Sequence, residues 1–160
     1  MSKERSAPVA APEWDAVRWF NTDEAPSLAS LRGKVVVLHA FQMLCPGCVA
    51  KALPQMQQVH EIFPAEHVAV VGLHTVFEHH AAMTPISLEA FIHEYRLTHP
   101  IGVDRPGEND PIPRTMRTYG FRGTPSLVLI DRAGFIRHHA FGGVADLALG
   151  AHIAGLMAGG

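Results

Sequence analysis

A run of apolar, β-branched residues leads into the only two cysteines of the chain, and this junction restricts the fold more than any other stretch. Val35 to Phe41 is short and rich in valine, which predicts a buried β-strand. After Cys48, apolar residues recur at helical spacing as far as Pro64, which predicts a helix. Cys45 then falls at the helix cap and Pro46 at the first helical position, where a missing N–H costs nothing. We therefore expect a C-x-x-C pair between a buried strand and a helix.

The position of the first cysteine favours nucleophilic chemistry. A thiolate at a helix N-terminus faces unpaired N–H groups and the positive end of the helix dipole, so Cys45 is the predicted attacking sulfur. Cys48 lies one turn later on the same face and is the predicted resolving sulfur. A structural disulfide and a metal site are the alternatives. A bridge that closes so small a loop would stabilise the fold by only about 2 kcal/mol in the chain-entropy model. We therefore favour a redox dithiol.

The remaining patterns alternate between strand and helix. A chain of 160 residues with 48% hydrophobic content fits one domain. We expect residues 1–12 to be a flexible tail and residues 13–160 to form the domain. This order predicts an α/β fold in which helices flank a central mixed β-sheet on both faces, with a C-terminal β-hairpin and helix. The predicted elements are an edge strand within 14–21, strands at 35–41, 68–73, 100–103, 126–131 and 135–141, and helices after Cys45, after Pro85, at 112–119 and at about 144–157.

Several smaller features refine this picture. Pro54 should bend the cysteine helix, because it removes one hydrogen bond and clashes with the preceding turn. Phe135 and Phe141 are expected in the core. The long connections 75–86 and 104–113 are where we expect substrate specificity. His74 and Phe77, at the start of the first of these, are candidates to border the site.

Charge and patterning argue against several classes of partner. The formal net charge is −2 and no cluster of Lys or Arg is present, so we expect no nucleic acid and no membrane as partners. Lys3 and Arg5 are followed by an Ala/Pro-rich stretch rather than the apolar core of a secretory signal. No later run is long enough to span a bilayer. We therefore expect a cytoplasmic protein, and in that compartment a lone cysteine pair is more often catalytic than structural.

Two separate stretches resemble the thioredoxin-like superfamily. One is Val35 through Cys48, a strand that enters a C-x-x-C helix. The other is Tyr119 through Asp131, whose Gly-Thr-Pro-Ser segment resembles the family's loop in which a cis-proline precedes a core strand and faces the cysteines. The spacing between them and the lead-in 30–34 are most similar to the TlpA-type thiol reductase and redoxin branch, which is related to peroxiredoxins. The resemblance covers about residues 15–157 and implies a thioredoxin-like fold and a thiol–disulfide oxidoreductase.

The resemblance also implies a substrate surface around the cysteines. With Pro125 in the cis form, the backbone of Thr124 would face Cys45 and pair with an extended substrate strand. Leu44, Pro46 and Gly47 would complete this surface, although Leu44 replaces the aromatic residue that is frequent before the first cysteine. The implied reaction requires no cofactor beyond a redox-active Cys45–Cys48 disulfide. Its partners would be a protein or small-molecule disulfide and an unidentified electron donor.

His39 departs from the family pattern. In thioredoxins a buried carboxylate lies six residues before the first cysteine and is thought to move protons to and from the second cysteine. An imidazole can accept a proton near neutral pH, although burial would favour its neutral form. We hypothesise that His39 exchanges protons with Cys48. The alternative is a core histidine whose ring is satisfied by a backbone partner.

Two other functions fit parts of the sequence. A thiol peroxidase of the peroxiredoxin-related type is possible on fold, but peroxiredoxins carry threonine and proline three and seven residues before the active cysteine, where this chain has Gln42 and Leu38. A metal-binding or metallochaperone module would combine the two thiolates with histidines. No second C-x-x-C pair completes a structural site, and the adjacent pairs His79/His80 and His138/His139 lack H-x₃₋₅-H spacing, so we predict no metal ligands. The histidines available to such a module are His74, His79, His80, His138 and His139.

Overall fold

The computed structural model describes residues 7–159 of the chain. Within this range, seven strands form one sheet and four α-helices pack against it. None of these helices is both long and apolar enough to cross a membrane. The strands are β1 (Val9–Ala10), β2 (Ala16–Phe20), β3 (Val35–Phe41), β4 (Val68–His74), β5 (Ile101–Asp104), β6 (Ser126–Ile130) and β7 (Phe135–Phe141). The helices are α1 (Leu53–Ile62), which continues a π-helical segment (Cys48–Ala52), α2 (Pro85–Glu94), α3 (Arg114–Tyr119) and α4 (Asp146–Ala158).

The sheet is mixed, as the order of patterns predicts. Its strand order is β1-β7-β6-β3-β4-β5-β2. Strands β3, β4 and β5 are parallel, whereas β6 pairs antiparallel with both β3 and β7. All seven residues of β3 are buried, which explains why its sequence, apart from His39, is apolar throughout rather than alternating. The strand that leads to the cysteines therefore lies at the centre of the sheet.

Helices cover both faces of the sheet. Successive residues of a strand point to opposite faces, and the central strand feeds two separate parts of the core. Val36 packs in one cluster with Met116 of α3. Val37 packs in another with Met56 of α1 and Leu149 of α4. The predicted arrangement of helices on both faces is therefore confirmed.

The N-terminal boundary differs from the one expected. Val9 and Ala10 form β1, which pairs with β7 at the edge of the sheet. The backbone N–H of Ala11 donates to the carbonyl of Gly134, and the hydroxyl of Tyr119 donates to the carbonyl of Pro12. Residues 9–12 are therefore attached to the domain rather than part of a flexible tail, and their Ala/Pro-rich sequence gives no strand signal. Residues 1–6 of the predicted tail lie outside the described residues.

The helix that follows the cysteines changes its hydrogen-bonding pattern directly before Pro54. The N–H of Leu53 donates to the carbonyl of Cys48, five residues back, as in a π-helix. Pro54, in the first turn of α1, has no N–H to donate and leaves no donor unsatisfied. The distortion expected at this proline thus takes the form of a widened turn, and such turns are frequent at functional sites.

Candidate active site

Cys45 lies at the start of the helix, as its spacing predicts. A tight turn follows β3, in which the N–H of Cys45 donates to the carbonyl of Gln42 at 3.0 Å. The carbonyl of Cys45 accepts from the N–H of Val49 at 3.1 Å, and its Sγ lies 3.4 Å from the N–H donor of Cys48. The sulfur therefore occupies the position of a helix cap and receives an N–H that has no helical partner. This contact places a backbone N–H beside the sulfur of Cys45.

The two thiols differ sharply in environment. Both are free in the structure, with Cys45 partly exposed and Cys48 completely buried. Burial raises the pKa of Cys48 to about 12, and its hydrogen bond with Cys45 acts in the same direction. At neutral pH, Cys48 is therefore a protonated thiol that must lose its proton before it can attack a disulfide. This difference agrees with Cys45 as attacking sulfur and Cys48 as resolving sulfur.

The loop that contains Pro125 faces the cysteines, as the resemblance implies. The Thr124–Pro125 peptide bond is cis. The Sγ of Cys45 donates to the carbonyl of Thr124 at 3.5 Å. A Cβ placed on Gly47 would lie 3.6 Å from Cδ of Pro125. The carbonyl of Pro125 accepts from the N–H of Gly142 at 2.8 Å, which attaches this loop to the end of β7.

The surface around Cys45 is apolar and includes one residue that sequence reasoning placed elsewhere. Leu44, Pro46 and Gly47 are exposed, as a substrate surface would require. Phe141 was expected in the core, but 53% of it is exposed. Its ring lies against Gly123, where a Cβ would be only 3.0 Å away. Phe141 is the last residue of an outer strand, where the alternation of side chains does not distinguish a buried face from an exposed one.

His39 is buried, but its partner is another histidine and not the backbone. Its Nε2 lies 2.8 Å from Nε2 of His99, which precedes β5 and is also fully buried. Burial, and secondarily the proximity of His99, lower the pKa of His39 well below 6.5. Burial lowers the pKa of His99 to about 3. The expectation of a backbone partner for His39 is therefore wrong.

Gly72 makes room for this pair of rings. In the parallel register of β3 and β4, Gly72 lies opposite His39. A Cβ at this position would approach Nε2 of His39 to 2.8 Å and Nε2 of His99 to 3.2 Å. A glycine in the interior of a buried strand often marks a close approach by another group. It is the one sequence signal that could have indicated the pair.

A cavity of about 350 Å³ connects His39 to the cysteine side of the molecule. Gly47 and Pro125 form part of its wall, and most of the remaining lining is apolar, including Met56 and Val144. The ring of His39 also stacks on Phe41, with centroids 5.4 Å apart. Phe41 belongs to the same buried cluster as Cys48. His39 therefore lies on the same face of the sheet as Cys48 and adjoins the cluster of Cys48 through the ring of Phe41.

His74 and Phe77 support the site from behind rather than lining it. The buried Nε2 of His74 accepts from the N–H of Met43 at 3.1 Å, and burial lowers the pKa of His74 to about 4. The N–H of Phe77 donates to the side-chain carbonyl of Gln42 at 3.1 Å. Both contacts hold the turn that precedes Cys45. Their expected place at the border of the site is thus only partly correct.

The two positions at which this chain departs from the peroxiredoxin pattern have structural roles. Leu38 is part of the core, and the buried Gln42 braces the turn through Phe77. Neither offers the threonine hydroxyl or the proline of the peroxiredoxin pattern. Among the residues that the structure describes, no group of three or more His, Cys, Asp or Glu side chains is placed to hold a metal ion.

Comparison with known proteins places the chain in a family. The model of the AhpC/TSA family matches residues 9–139, which include both cysteines, His39 and the Pro125 loop. The chain belongs to the AhpC/TSA family. The chain also superposes on the crystal structure of a thioredoxin-like superfamily protein, with a TM-score of 0.93 and 58% sequence identity. The match covers 95% of this chain and 98% of the other. The predicted thioredoxin-like fold is thereby confirmed.

Two further relatives carry names that describe an activity. A thiol-disulfide isomerase from Corynebacterium glutamicum is 46% identical, with a TM-score of 0.91 and coverage of 97% of this chain and 99% of the other. Thiol-disulfide oxidoreductase ResA from Bacillus thuringiensis is 28% identical over 107 residues, which is 67% of this chain. The chain spans 54% of the length of ResA and 17% of another, longer curated relative.

Proposed function

We propose that this protein is a thiol–disulfide oxidoreductase. The observation that carries the proposal is the arrangement of one partly exposed thiol at a helix N-terminus, one buried thiol a turn behind it, and the backbone of Thr124 facing the first. Each part serves a separate step of thiol–disulfide exchange. The names of the isomerase and of ResA support the same class of reaction.

The reaction proceeds through two exchanges. The thiolate of Cys45 attacks one sulfur of a partner disulfide, the partner S–S bond breaks, and the departing sulfur takes up a proton. Cys48 then loses its proton and attacks Sγ of Cys45, which releases the second partner sulfur as a thiol. Two electrons pass to the partner and a Cys45–Cys48 disulfide remains. An external thiol donor restores the dithiol by the reverse steps.

The exposed surface fits an extended peptide disulfide. Leu44 and Pro46 present apolar groups beside Cys45, and Phe141 is exposed beside the loop that contains Thr124 and Pro125. The backbone of Thr124 can pair with a neighbouring chain. Phe141 supplies an aromatic wall in a chain that has leucine before the first cysteine. Protein disulfides are therefore the proposed substrates. In a reducing compartment such as the predicted cytoplasm, the net direction is reduction of the partner.

His39 is the proposed acceptor of the Cys48 proton. Cys48 needs a base because burial raises its pKa to about 12. The imidazole of His39 lies on the same face of the sheet and is neutral at physiological pH, since burial lowers its pKa. A neutral imidazole retains one unprotonated ring nitrogen, which can accept the proton if a second group removes it, because burial disfavours the charged imidazolium.

The roles of the two thiols predict that Cys48→Ser will trap a partner. Incubated with a peptide that contains one intramolecular disulfide, this variant should accumulate a covalent adduct through Cys45, because nothing remains to resolve it. The adduct is measured by mass spectrometry under non-reducing conditions. The control is Cys45→Ser, which should form little adduct because its only thiol is buried. Equal adduct formation by both variants, or none by Cys48→Ser, would contradict the proposed function.

A further inference from the structure

Two buried histidines share a single hydrogen bond on the face of the sheet that carries Cys48. The Nε2 atoms of His39 and His99 are 2.8 Å apart, and the two rings are 2% and 0% exposed. Neither Nδ1 atom has a hydrogen-bond partner among the described residues. Buried polar atoms without partners are rare enough in proteins to require an explanation.

The chemistry of neutral imidazole fixes how protons are distributed over this pair. Each neutral ring carries one hydrogen on nitrogen, and the short contact requires one Nε2 to donate and the other to accept. The donor ring therefore has a bare Nδ1, and the acceptor ring has a protonated Nδ1. The pair therefore has two arrangements with the same number of protons. They differ in the direction of the shared hydrogen bond and, with it, in which ring has the bare Nδ1.

We propose that His39 and His99 form a two-histidine proton relay between Cys48 and solvent, with His60 at its outer end. The inference rests on the proposed function, because the proton concerned is the one that Cys48 loses when the disulfide closes. Nothing in the C-x-x-C pattern itself requires His99 or His60.

The relay transfers one proton each time the Cys45–Cys48 disulfide forms. In the dithiol state, Nε2–H of His39 donates to His99, and Nδ1 of His39 is bare. As Cys48 attacks, its proton enters at Nδ1 of His39, the shared proton passes to Nε2 of His99, and Nδ1–H of His99 releases its proton outward. The pair ends in its opposite arrangement. Re-reduction runs the same steps in reverse and returns a proton to Cys48, so neither ring has to rotate.

His60 connects the inner pair to the surface. Its ring lies on α1, with its centroid 6.0 Å from that of His99, and it is partly exposed. In the proposed relay, a bridging water molecule carries the proton between these two rings. The inner rings are neutral at rest because burial lowers the pKa of both. A proton on either ring is therefore passed on rather than retained.

The fold holds His99 in place from several sides. The amide of Asn21 donates to the carbonyl of His99 at 3.0 Å, from a residue with a left-handed backbone (φ 63°). The side chain of Gln57 on α1 both donates to and accepts from Thr98, the preceding residue. Gly72 leaves the space in which the two rings meet. These three features come from different elements, and all of them help to position the short loop that carries His99.

Other ionisable groups that face the pair belong to the elements packed around it. These are His60 on α1, Lys51 at the mouth of the cavity, His74 of β4 across the ring of Phe41, and Cys48 itself. Nε2 of His74 is occupied by the N–H of Met43, so His74 is not a second branch of the relay.

The tautomers of the two rings provide the decisive test. Protein labelled with ¹⁵N is prepared as dithiol and as disulfide, and histidine ring nitrogens are assigned by long-range ¹H–¹⁵N correlation. The relay predicts that His39 carries its proton on Nε2 in the dithiol and on Nδ1 in the disulfide, with His99 changing in the opposite sense. Identical tautomers in both states would overturn the relay. That result would leave the function intact, provided that Cys48→Ser still traps its partner.

A kinetic test uses His99→Gln, which keeps a hydrogen-bonding group near Nε2 but cannot relay a proton. Closure of the disulfide from the mixed disulfide should slow by at least about tenfold at pH 7, while the first attack by Cys45 is unchanged. The defect should diminish at alkaline pH, where hydroxide removes the Cys48 proton. His60→Gln should show a smaller defect, and the exposed His93→Gln none. A uniform loss at every pH and in both steps would indicate a structural role and contradict the relay.

Discussion

Replacement of Cys45 by serine is expected to abolish catalysed disulfide reduction. A serine hydroxyl does not ionise at neutral pH and cannot attack a disulfide sulfur, so turnover should fall by more than about a hundredfold. The assay follows reduction of a disulfide-containing peptide, with dithiothreitol as the electron donor. The fold should survive, because Cys45 lies at a partly exposed turn and serine is a good helix cap.

Cys48→Ser is the matched control for this experiment, because it removes the second thiol and leaves the attacking one. Peroxide consumption by the reduced wild-type protein, measured by stopped flow, distinguishes the peroxidase alternative from the proposed oxidoreductase. We expect consumption to be slow relative to disulfide reduction, since Gln42 and Leu38 replace the residues of the peroxiredoxin pattern. Near wild-type disulfide reduction by Cys45→Ser would contradict the assignment of the attacking sulfur.

Mild acid is expected to destabilise the fold strongly, because it contains three buried neutral histidines. The pKa is lowered from 6.5 to about 4 for His74 and to about 3 for His99, and that of His39 is lowered well below 6.5. Below pH 6.5 the unfolded chain binds protons at these sites and the folded protein does not. The stability that these neutral histidines contribute is therefore fully present above about pH 6.5, and it is lost as the pH falls towards their pKa values in the folded protein. Urea unfolding at a series of pH values measures the effect.

The expected loss is large compared with the stability of a typical domain. Between pH 7 and pH 5, His74 and His99 each contribute a loss of about 2 kcal/mol, and His39 acts in the same direction. Domains of this kind are usually stable by about 5–15 kcal/mol. The buried Asp104 acts in the opposite sense, because burial raises its pKa. His74→Gln should flatten the pH dependence and the exposed His93→Gln should not, whereas an unfolding midpoint equal at pH 7 and pH 5 would refute the prediction.

Local pattern was enough to predict most of the fold and the centre of the site. The apolar run before Cys45 and the helical spacing after Cys48 predict the strand and helix that position both thiols. The Thr124–Pro125 loop could be placed opposite them only through its resemblance to a known motif. The short β1 strand was missed because two residues in an Ala/Pro-rich stretch show no periodicity, and their pairing depends on where β7 begins.

The histidine pair could not be predicted from local pattern. His39 and His99 are sixty residues apart in the chain. They meet only because β5 follows β4 in the parallel part of the sheet and Gly72 leaves space between them. Neither ring has a neighbour in sequence that indicates a partner. The exposure of Phe141 could not be predicted from local pattern either, because it depends on how the β6–β7 hairpin ends beside the Pro125 loop.

Equilibration with glutathione is the most direct test of the central claim that Cys45 and Cys48 form a reversible redox pair. Wild-type protein is equilibrated over a range of reduced-to-oxidised glutathione ratios, quenched in acid and read by mass spectrometry beside both single-cysteine variants. We predict one two-electron transition to a species lacking two hydrogen atoms. A potential near −270 mV, roughly that of thioredoxin, would agree with a reductase. Failure of the wild-type protein to form the intramolecular disulfide at any ratio would contradict the account.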